Sequence, residues 1–268
     1  MNMLRRLGKC LGVAVICFII LRLAMYVSPE FRLKMYHIRD DVIMARLFPI
    51  TSKFWAHRCN DTRKMEEMMT IYDGVELDII FCPTPEGGVF ETSHDPQSAV
   101  DHPLDNFFAI LGPHKTKIWL DFKNLNETTA HPALQELEKL IATYRIDKNR
   151  LILESENYDC LGLFHQQGFY TSYYCPVNDE RYLRTAEYRD EYVHLLNKAI
   201  QSGHINAISF PAAYYPLVKE DRPDVDLLTW HIGHYGWWDF YFDQTLKPIM
   251  EDEHIKVILV SRHSRYDR

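Results

Sequence analysis

The sequence lacks an excess of positive charge. Its 268 residues include 30 lysines and arginines against 37 aspartates and glutamates, which gives a formal net charge of -7 and a pI near 6.0. Such a chain has no global positive field of the kind that draws proteins onto nucleic acid, so we expect no nucleic-acid partner. Any phosphate chemistry would have to rely on local cations or on a bound metal ion, because the overall field repels anionic substrates.

The N-terminus lacks a long uncharged apolar run. Basic residues precede an apolar stretch from Cys10 to Leu21, which alone is too short to cross about 30 Å of hydrocarbon. The Arg22 side chain could extend its charged group to the membrane surface, so that the segment from Cys10 to Val27 would cross the bilayer. No small-x-small cleavage site is evident, which favours an uncleaved single-pass anchor over a removed signal peptide. We therefore expect membrane attachment through this segment, with the rest of the chain outside the cytoplasm.

A cysteine metal motif is also lacking. Two of the six cysteines, Cys10 and Cys17, fall in the apolar stretch, and the other four are irregularly spaced. Cys59 and Cys82 follow predicted neighbouring strands. The sequence leaves two interpretations of this pair open, a disulfide between the two residues or two unpaired buried thiols.

What is present is a regular alternation of short apolar runs with amphipathic stretches. We divide the chain into an anchor or signal segment (1–27), a connector (28–50) and one domain (51–268). The domain holds eight such units, which fit a closed (β/α)₈ TIM barrel better than an open sheet. The predicted strands are Lys53 to His57, Val75 to Phe81, Lys117 to Phe122, Arg150 to Glu154, Phe169 to Tyr174, Asn206 to Phe210, Asp226 to His231 and Ile255 to Val260. The predicted helices include Asp61 to Tyr72, His131 to Tyr144, Asn157 to Gln167, Glu180 to Ser202 and Asp239 to Glu251.

Two features depart from a regular barrel. A turn-rich linker separates the second strand from an extra run, Val89 to Ser93, which predicts a hairpin at the mouth of that strand. The sequence also leaves no room for a helix after the eighth strand. A connector helix around Asp40 to Leu47 is expected to cover the first and last strands instead.

Polar residues lie at the C-terminal ends of the first three predicted strands, where barrels of this kind carry their catalytic groups. Side chains alternate along a strand, so Glu76 and Asp78 share one face of the second strand, and Asp121 and Lys123 share one face of the third. The full set is His57, Arg58, Glu76, Asp78, His94, Asp121 and Lys123.

Three carboxylates that converge from adjacent strands would repel one another unless a cation lay between them. Without a cysteine cluster, their oxygens favour one divalent Mg²⁺ or Ca²⁺ ion over zinc. Lys123 and Arg58 could then bind the non-bridging oxygens of a phosphate, and two histidines could give and take protons. Ordinary salt bridges of these acids to Arg58 and Lys123, with no metal, are the simpler alternative.

Four short motifs carry a family resemblance. In this order, W-A-H-R-C-N, G-V-E-L-D-I, S-H-D-P and L-D-F-K resemble the glycerophosphodiester phosphodiesterase superfamily, which includes the sphingomyelinase D enzymes with their similar H-x-x-N, E-x-D, H-G and D-x-K pattern. The match spans Lys53 to Lys123, with Trp230 in L-L-T-W as an outlying part. The resemblance implies a TIM barrel and phosphodiesterase activity on lipid-type substrates.

The resemblance also implies a role for each matching residue. It assigns His57 and His94 to acid/base catalysis, Glu76, Asp78 and Asp121 to the metal, Lys123 to the phosphate, and Trp230 to a position over the site. The implied mechanism is internal: a substrate hydroxyl displaces the leaving alcohol and a cyclic phosphate results.

The sequence also departs from the family pattern. Cys59 replaces the glycine that usually follows H-R, a proline-glutamate-asparagine-threonine element is missing, and D-F-K replaces E-x-K. These departures favour sphingomyelinase D or a divergent branch. Glycerophosphodiesters and the headgroups of (lyso)phospholipids or sphingolipids all remain candidate substrates.

Alternatives to this interpretation stay open. His231 and His234 lie near Trp230 in the sequence and could line the site, and the tyrosine-rich runs could form a lipid groove, although they are more often core residues. A TIM-barrel glycoside hydrolase could use Asp121 and Glu154, but that function leaves the histidines unexplained. A catalytically silent, membrane-tethered barrel that binds lipid or glycan is the second rival.

Overall fold

The computed structural model describes residues 2–28, 31, 34–35, 52–85, 87–94, 102–176, 185–221, 224–231, 246–262, 264 and 266. The strands are β1 (Phe54–Ala56), β2 (Gly74–Cys82), β3 (Val89–Thr92), β4 (Lys117–Phe122), β5 (Leu151–Ser155), β6 (Tyr170–Tyr174), β7 (Ala207–Pro211), β8 (Asp226–His231) and β9 (Ile255–Val260). The α-helices are α1 (Asn2–Val27), α2 (Thr62–Met69), α3 (Leu104–Leu111), α4 (Ala130–Tyr144), α5 (Tyr158–Gln166), α6 (Ala186–Gln201), α7 (Tyr215–Asp221) and α8 (Leu246–Glu251).

Eight parallel strands close into a barrel. The strand order is β1-β9-β8-β7-β6-β5-β4-β2, and β1 also pairs with β2, which closes the ring. Helices alternate with the strands along the chain, as in a (β/α)₈ TIM barrel. The predicted fold class of the domain is therefore confirmed, and each of the eight predicted strands lies within one residue of its observed bounds.

β3 lies outside the ring and pairs antiparallel with the last part of β2. This pair is the hairpin that the turn-rich linker predicts. β3 also forms a hydrogen bond with a later part of the chain, since the Thr92 backbone N–H donates to the His102 carbonyl at 2.9 Å. The hairpin therefore holds Ser93 and His94 beside β2.

An apolar layer fills the middle of the barrel. Strand residues that point inward alternate with residues that face the surrounding helices. The ring of Trp55 lies against the backbone of Gly74, where an added Cβ would come within 2.2 Å of the indole. Glycine at this position is therefore a packing requirement. The layer consists of Trp55, Trp119, Ile152, Ala207, Leu228, Val257 and Leu259.

The N-terminal helix α1 corrects one prediction. Within the described part of the chain, no helix is both long and apolar enough to cross a bilayer. Arg22 interrupts the apolar face, and the uncharged run from Cys10 to Leu21 spans only about 18 Å at the helical rise per residue. This finding overturns the predicted single-pass anchor and the placement outside the cytoplasm that depended on it.

Two further predictions concern the cysteines and the connector. No disulfide joins Cys59 to Cys82 in the structure, and the Cys59 thiol instead donates to the Ala56 carbonyl at 3.7 Å. The connector helix predicted at Asp40 to Leu47 falls outside the described residues.

Candidate active site

Three carboxylates meet at the C-terminal end of the barrel. Glu76 and Asp78 lie on β2, and the register places Asp78 beside Asp121 of the neighbouring β4. One oxygen of each carboxylate lies within 4.8 Å of the other two. Glu76 and Asp78 are each 1% exposed. The three carboxylates therefore lie close together, as the sequence predicts.

Lys123 neutralises part of this negative charge. Its Nζ lies 2.9 Å from Asp78 Oδ1 and also forms an ion pair with Asp121 Oδ2. Burial alone would lower the pKa of Lys123, but Asp121 and Asp78 outweigh that effect and raise the pKa above its usual value. The ammonium therefore stays charged at every physiological pH.

Asn60 holds Asp78 at two points. The Asn60 Nδ2 donates to Asp78 Oδ2 at 2.6 Å, and the Asp78 backbone N–H donates to Asn60 Oδ1 at 2.9 Å. Burial would raise the pKa of Asp78, but the charge of Lys123 and the hydrogen bonds from Lys123 and from the Asn60 side chain outweigh burial, so the pKa falls below its usual value. Sequence reasoning assigned Asn60 no role, although it ends the H-R-C-N motif and could have been found there.

Arg58 connects Glu76 to His94. Its backbone is in the left-handed region, with φ of 54°, which residues with a side chain rarely adopt. In this conformation its backbone N–H donates to Glu76 Oε2 at 2.6 Å. Its guanidinium Nη2 donates to His94 Nε2 at 2.8 Å, so this ring nitrogen is an acceptor.

The two histidines lie at the same end of the barrel. His57 follows β1, with its Nε2 3.8 Å from Glu76 Oε2 and its Nδ1 3.4 Å from the Ser261 hydroxyl. Burial lowers the pKa of His57 to about 3, and the Arg58 charge adds to the effect, so the imidazole is neutral at pH 7. His94 is exposed and follows β3, where the Ser93 N–H bonds the Asp78 carbonyl at 3.0 Å.

The donor set fits a hard divalent cation. Glu76 Oε1 is buried and has no hydrogen-bond partner among the residues that the structure describes, an arrangement that costs free energy unless a ligand supplies the missing contact. Burial, followed by repulsion from Asp78 and Asp121, raises the pKa of Glu76 well above its usual value. Oxygen donors of this kind suit Mg²⁺ or Ca²⁺.

Aromatic and acidic residues of the later strands complete this end of the barrel. Trp230 on β8 packs edge-on against Tyr174 on β6, with ring centroids 5.1 Å apart. Glu154 on β5 is the register partner of Asp121 and accepts a bond of 3.1 Å from the Ser172 hydroxyl. The side chains of His231 and His234 lie outside the described part, so their predicted proximity to the site stays a prediction.

No protein-family model matches this sequence, and no curated protein matches it. Solved structures do match. The barrel is similar to those of several glycerophosphodiester phosphodiesterases. One similar structure is a glycerophosphodiester phosphodiesterase from Parabacteroides distasonis, with a TM-score of 0.54, 15% identity, and 78% of this chain and 92% of that chain covered.

A second similar structure is a phosphodiesterase from Oleispira antarctica in complex with the product sn-glycerol-3-phosphate. It has a TM-score of 0.51, 9% identity, and 77% of this chain and 92% of that chain covered. At such identities the likeness establishes the fold, which confirms the resemblance that the motifs indicate at the level of the superfamily's architecture. The activity must be argued from the site itself.

Proposed function

We propose that this protein is a metal-dependent phosphodiesterase that acts on glycerophosphodiesters or on the headgroups of (lyso)phospholipids or sphingolipids. The observation that carries the proposal is the meeting of Glu76, Asp78 and Asp121 within 4.8 Å. Two histidines and a charged lysine lie at the same end of the barrel. A glycoside hydrolase would need the carboxylates but would give the histidines and Lys123 no task.

In this proposal Glu76, Asp78 and Asp121 hold one Mg²⁺ or Ca²⁺ ion. When bound, the ion supplies Lewis-acid stabilisation of negative charge on the phosphoryl oxygens. The orphaned, buried Glu76 Oε1 supports this assignment. Asn60 keeps the Asp78 carboxylate in place, because it bonds both the side chain and the backbone of that residue.

The other residues of the site bind the phosphate and move protons. Lys123 and Arg58 bind the non-bridging oxygens of the phosphate, since both side chains are positively charged at this end of the barrel. His57 and His94 act as the acid/base pair: one takes the proton of the attacking substrate hydroxyl, and the other gives a proton to the leaving alcohol. Trp230 and Tyr174 bound the space that the substrate would occupy.

The test is a phosphorus-NMR screen of glycerophosphodiesters, lysophospholipids and sphingomyelin, with Mg²⁺ or Ca²⁺ added. We expect turnover with metal, loss of turnover in a chelator, and a loss of about 10²-fold or more in His57→Ala and His94→Ala. His114→Ala is the matched control, because His114 is an exposed residue in the turn before β4.

Three outcomes would reject the proposal. Full turnover in both histidine variants would show that the imidazoles have no part in the chemistry. A purified, metal-loaded protein that cleaved none of these diesters would favour the silent binding barrel, and chelator-resistant cleavage of a glycoside would favour the glycosidase.

A further inference from the structure

A cavity lies at the opposite end of the barrel from the carboxylates. It has a volume of about 420 Å³ and is lined by residues at or just before the N-terminal ends of β4, β5, β6, β8 and β9. The candidate active site lies at the C-terminal ends of these parallel strands. The apolar layer that contains Trp55 and Leu228 therefore stands between the two sites.

The charge of this cavity is opposite in sign to that of the whole chain. Lys117, Lys148, Arg150 and Lys256 line it, and Asp226 is the acidic residue among the lining residues that the structure describes. Asp226 is already engaged, since the Tyr170 hydroxyl donates to it at 2.7 Å and Lys256 lies 3.5 Å away. A local positive field in a chain of net charge -7 attracts anions to this cavity.

Within the described part of the chain, two of the four cations form no ion pair with a carboxylate. The Arg150 guanidinium donates to the carbonyls of Leu111 and Thr116 at 2.8 to 3.0 Å, which fixes its position without neutralising its charge. Lys117 has no ion-pair partner among the residues described. Lys148 differs, because it pairs with Glu138.

The floor of the cavity is apolar. Trp55 and Leu228 belong to the central layer of the barrel, and Tyr170 packs against the same layer. The Lys148 ammonium lies 4.6 Å above the ring of Phe169 at the rim. Apolar walls with a few placed charges, and a volume within the usual few hundred cubic ångströms, are typical of small-molecule sites.

We propose that this N-terminal cavity binds a small organic anion with a flat apolar body. The anionic group lies between Lys117 and Arg150, and the flat body rests on Trp55 and Tyr170. This site is separate from the phosphodiesterase centre and does not depend on the function proposed for it.

Anilinonaphthalene sulfonate is a suitable probe, because it joins an anion to a flat aromatic body and becomes fluorescent in apolar surroundings. We expect saturable binding to the folded protein and about tenfold weaker binding to Lys117→Glu, since the substitution reverses one charge near the sulfonate. Lys115→Glu is the matched control. It makes the same charge change at an exposed residue outside the cavity and should bind within about twofold of the unmodified chain.

Two further measurements locate the bound probe and test whether its charge is recognised. Hydrogen–deuterium exchange should show protection by the probe at residues 148–152 and 168–170. Neutral phenylnaphthylamine should bind about tenfold more weakly than the sulfonate if the cations recognise charge. Equal effects of the two glutamate substitutions, equal affinity for both probes, or protection confined to the C-terminal ends of the strands would overturn the proposal.

Discussion

At the scale of single residues, burial and neighbouring charges shift the pKa values of the three carboxylates of the candidate site in different directions. Burial raises the pKa of Asp121 to about 6, and the attraction of Lys123 only partly offsets it. Glu76 shifts in the same direction because burial is joined by repulsion from its acidic neighbours. Asp78 shifts down, because Lys123 and Asn60 stabilise its charged form. In the metal-free site Asp121 therefore holds a proton below about pH 6.

The affinity for a divalent ion should consequently rise with pH. A cation needs ionised carboxylates, so a proton on Asp121 competes with it below pH 6 and leaves above that value. From this one carboxyl we expect about tenfold tighter Mg²⁺ or Ca²⁺ binding at pH 7 than at pH 5. Titration calorimetry without substrate would measure the affinity and the protons released.

The matched variant for this prediction is Asp121→Asn, which removes the titrating group. It should bind the ion more weakly, and its affinity should vary less between pH 5 and pH 7. An affinity of the unmodified protein that did not change with pH, or a pH dependence that survived in Asp121→Asn, would contradict the assignment of this carboxylate to the metal.

The sequence could predict the site residues that end a strand or belong to a motif. His57, Glu76 and Lys123 carry chemistry that shows in their residue types and spacing. Ser261 could not be predicted, because its partner His57 lies 204 positions away along the chain. Contacts of that kind depend on which strands become neighbours, and no local pattern specifies this.

At the scale of elements, Asn124 extends the pairing of β2 with β4. The Phe81 backbone N–H donates to Asn124 Oδ1 at 2.9 Å, and Asn124 Nδ2 donates back to the Phe81 carbonyl at 2.9 Å. Phe81 is 1% exposed. Because β4 has ended at Phe122, the side chain of Asn124 provides the hydrogen bonds to Phe81 that a continued β4 backbone would have formed.

Replacing Asn124 with alanine should therefore destabilise the barrel. The change leaves a buried N–H and a buried carbonyl without partners, which costs about 1–3 kcal/mol. Chemical denaturation followed by circular dichroism would measure the loss. Asn106→Ala, at an exposed position of α3, should change the free energy of unfolding by less than about 0.5 kcal/mol. Equal stability of the two variants would show that the Asn124 bonds contribute nothing.

The secondary-structure elements were largely predictable because their periodicity is local. The strands are short apolar runs between turn residues, and their bounds follow directly. Helix α3 was missed although its buried residues, Leu104, Phe107, Phe108 and Leu111, have helical spacing. Helix α7 has only seven residues, too few for a period to be recognised.

At the scale of the whole molecule, β1 closes the barrel with only three residues. Its residues pair with β9 on one side and with β2 on the other. Lys53 supports this seam, because its Nζ donates to the carbonyls of Met250 and Asp252 at 3.1 and 2.8 Å. The eight βα units of the sequence predict a barrel. The register of β1 against β9 depends on contacts between the two ends of the domain, so no local sequence pattern predicts it.

A chain that ends at His254 should therefore lose its cooperative fold. It lacks β9, so β1 and β8 become open edges and the apolar layer loses Val257 and Leu259. We expect no cooperative thermal transition by near-ultraviolet circular dichroism. Lys256→Ala changes an exposed β9 side chain and should melt close to the unmodified protein. Cooperative melting of the truncated chain would mean that the remaining seven strands fold without closure.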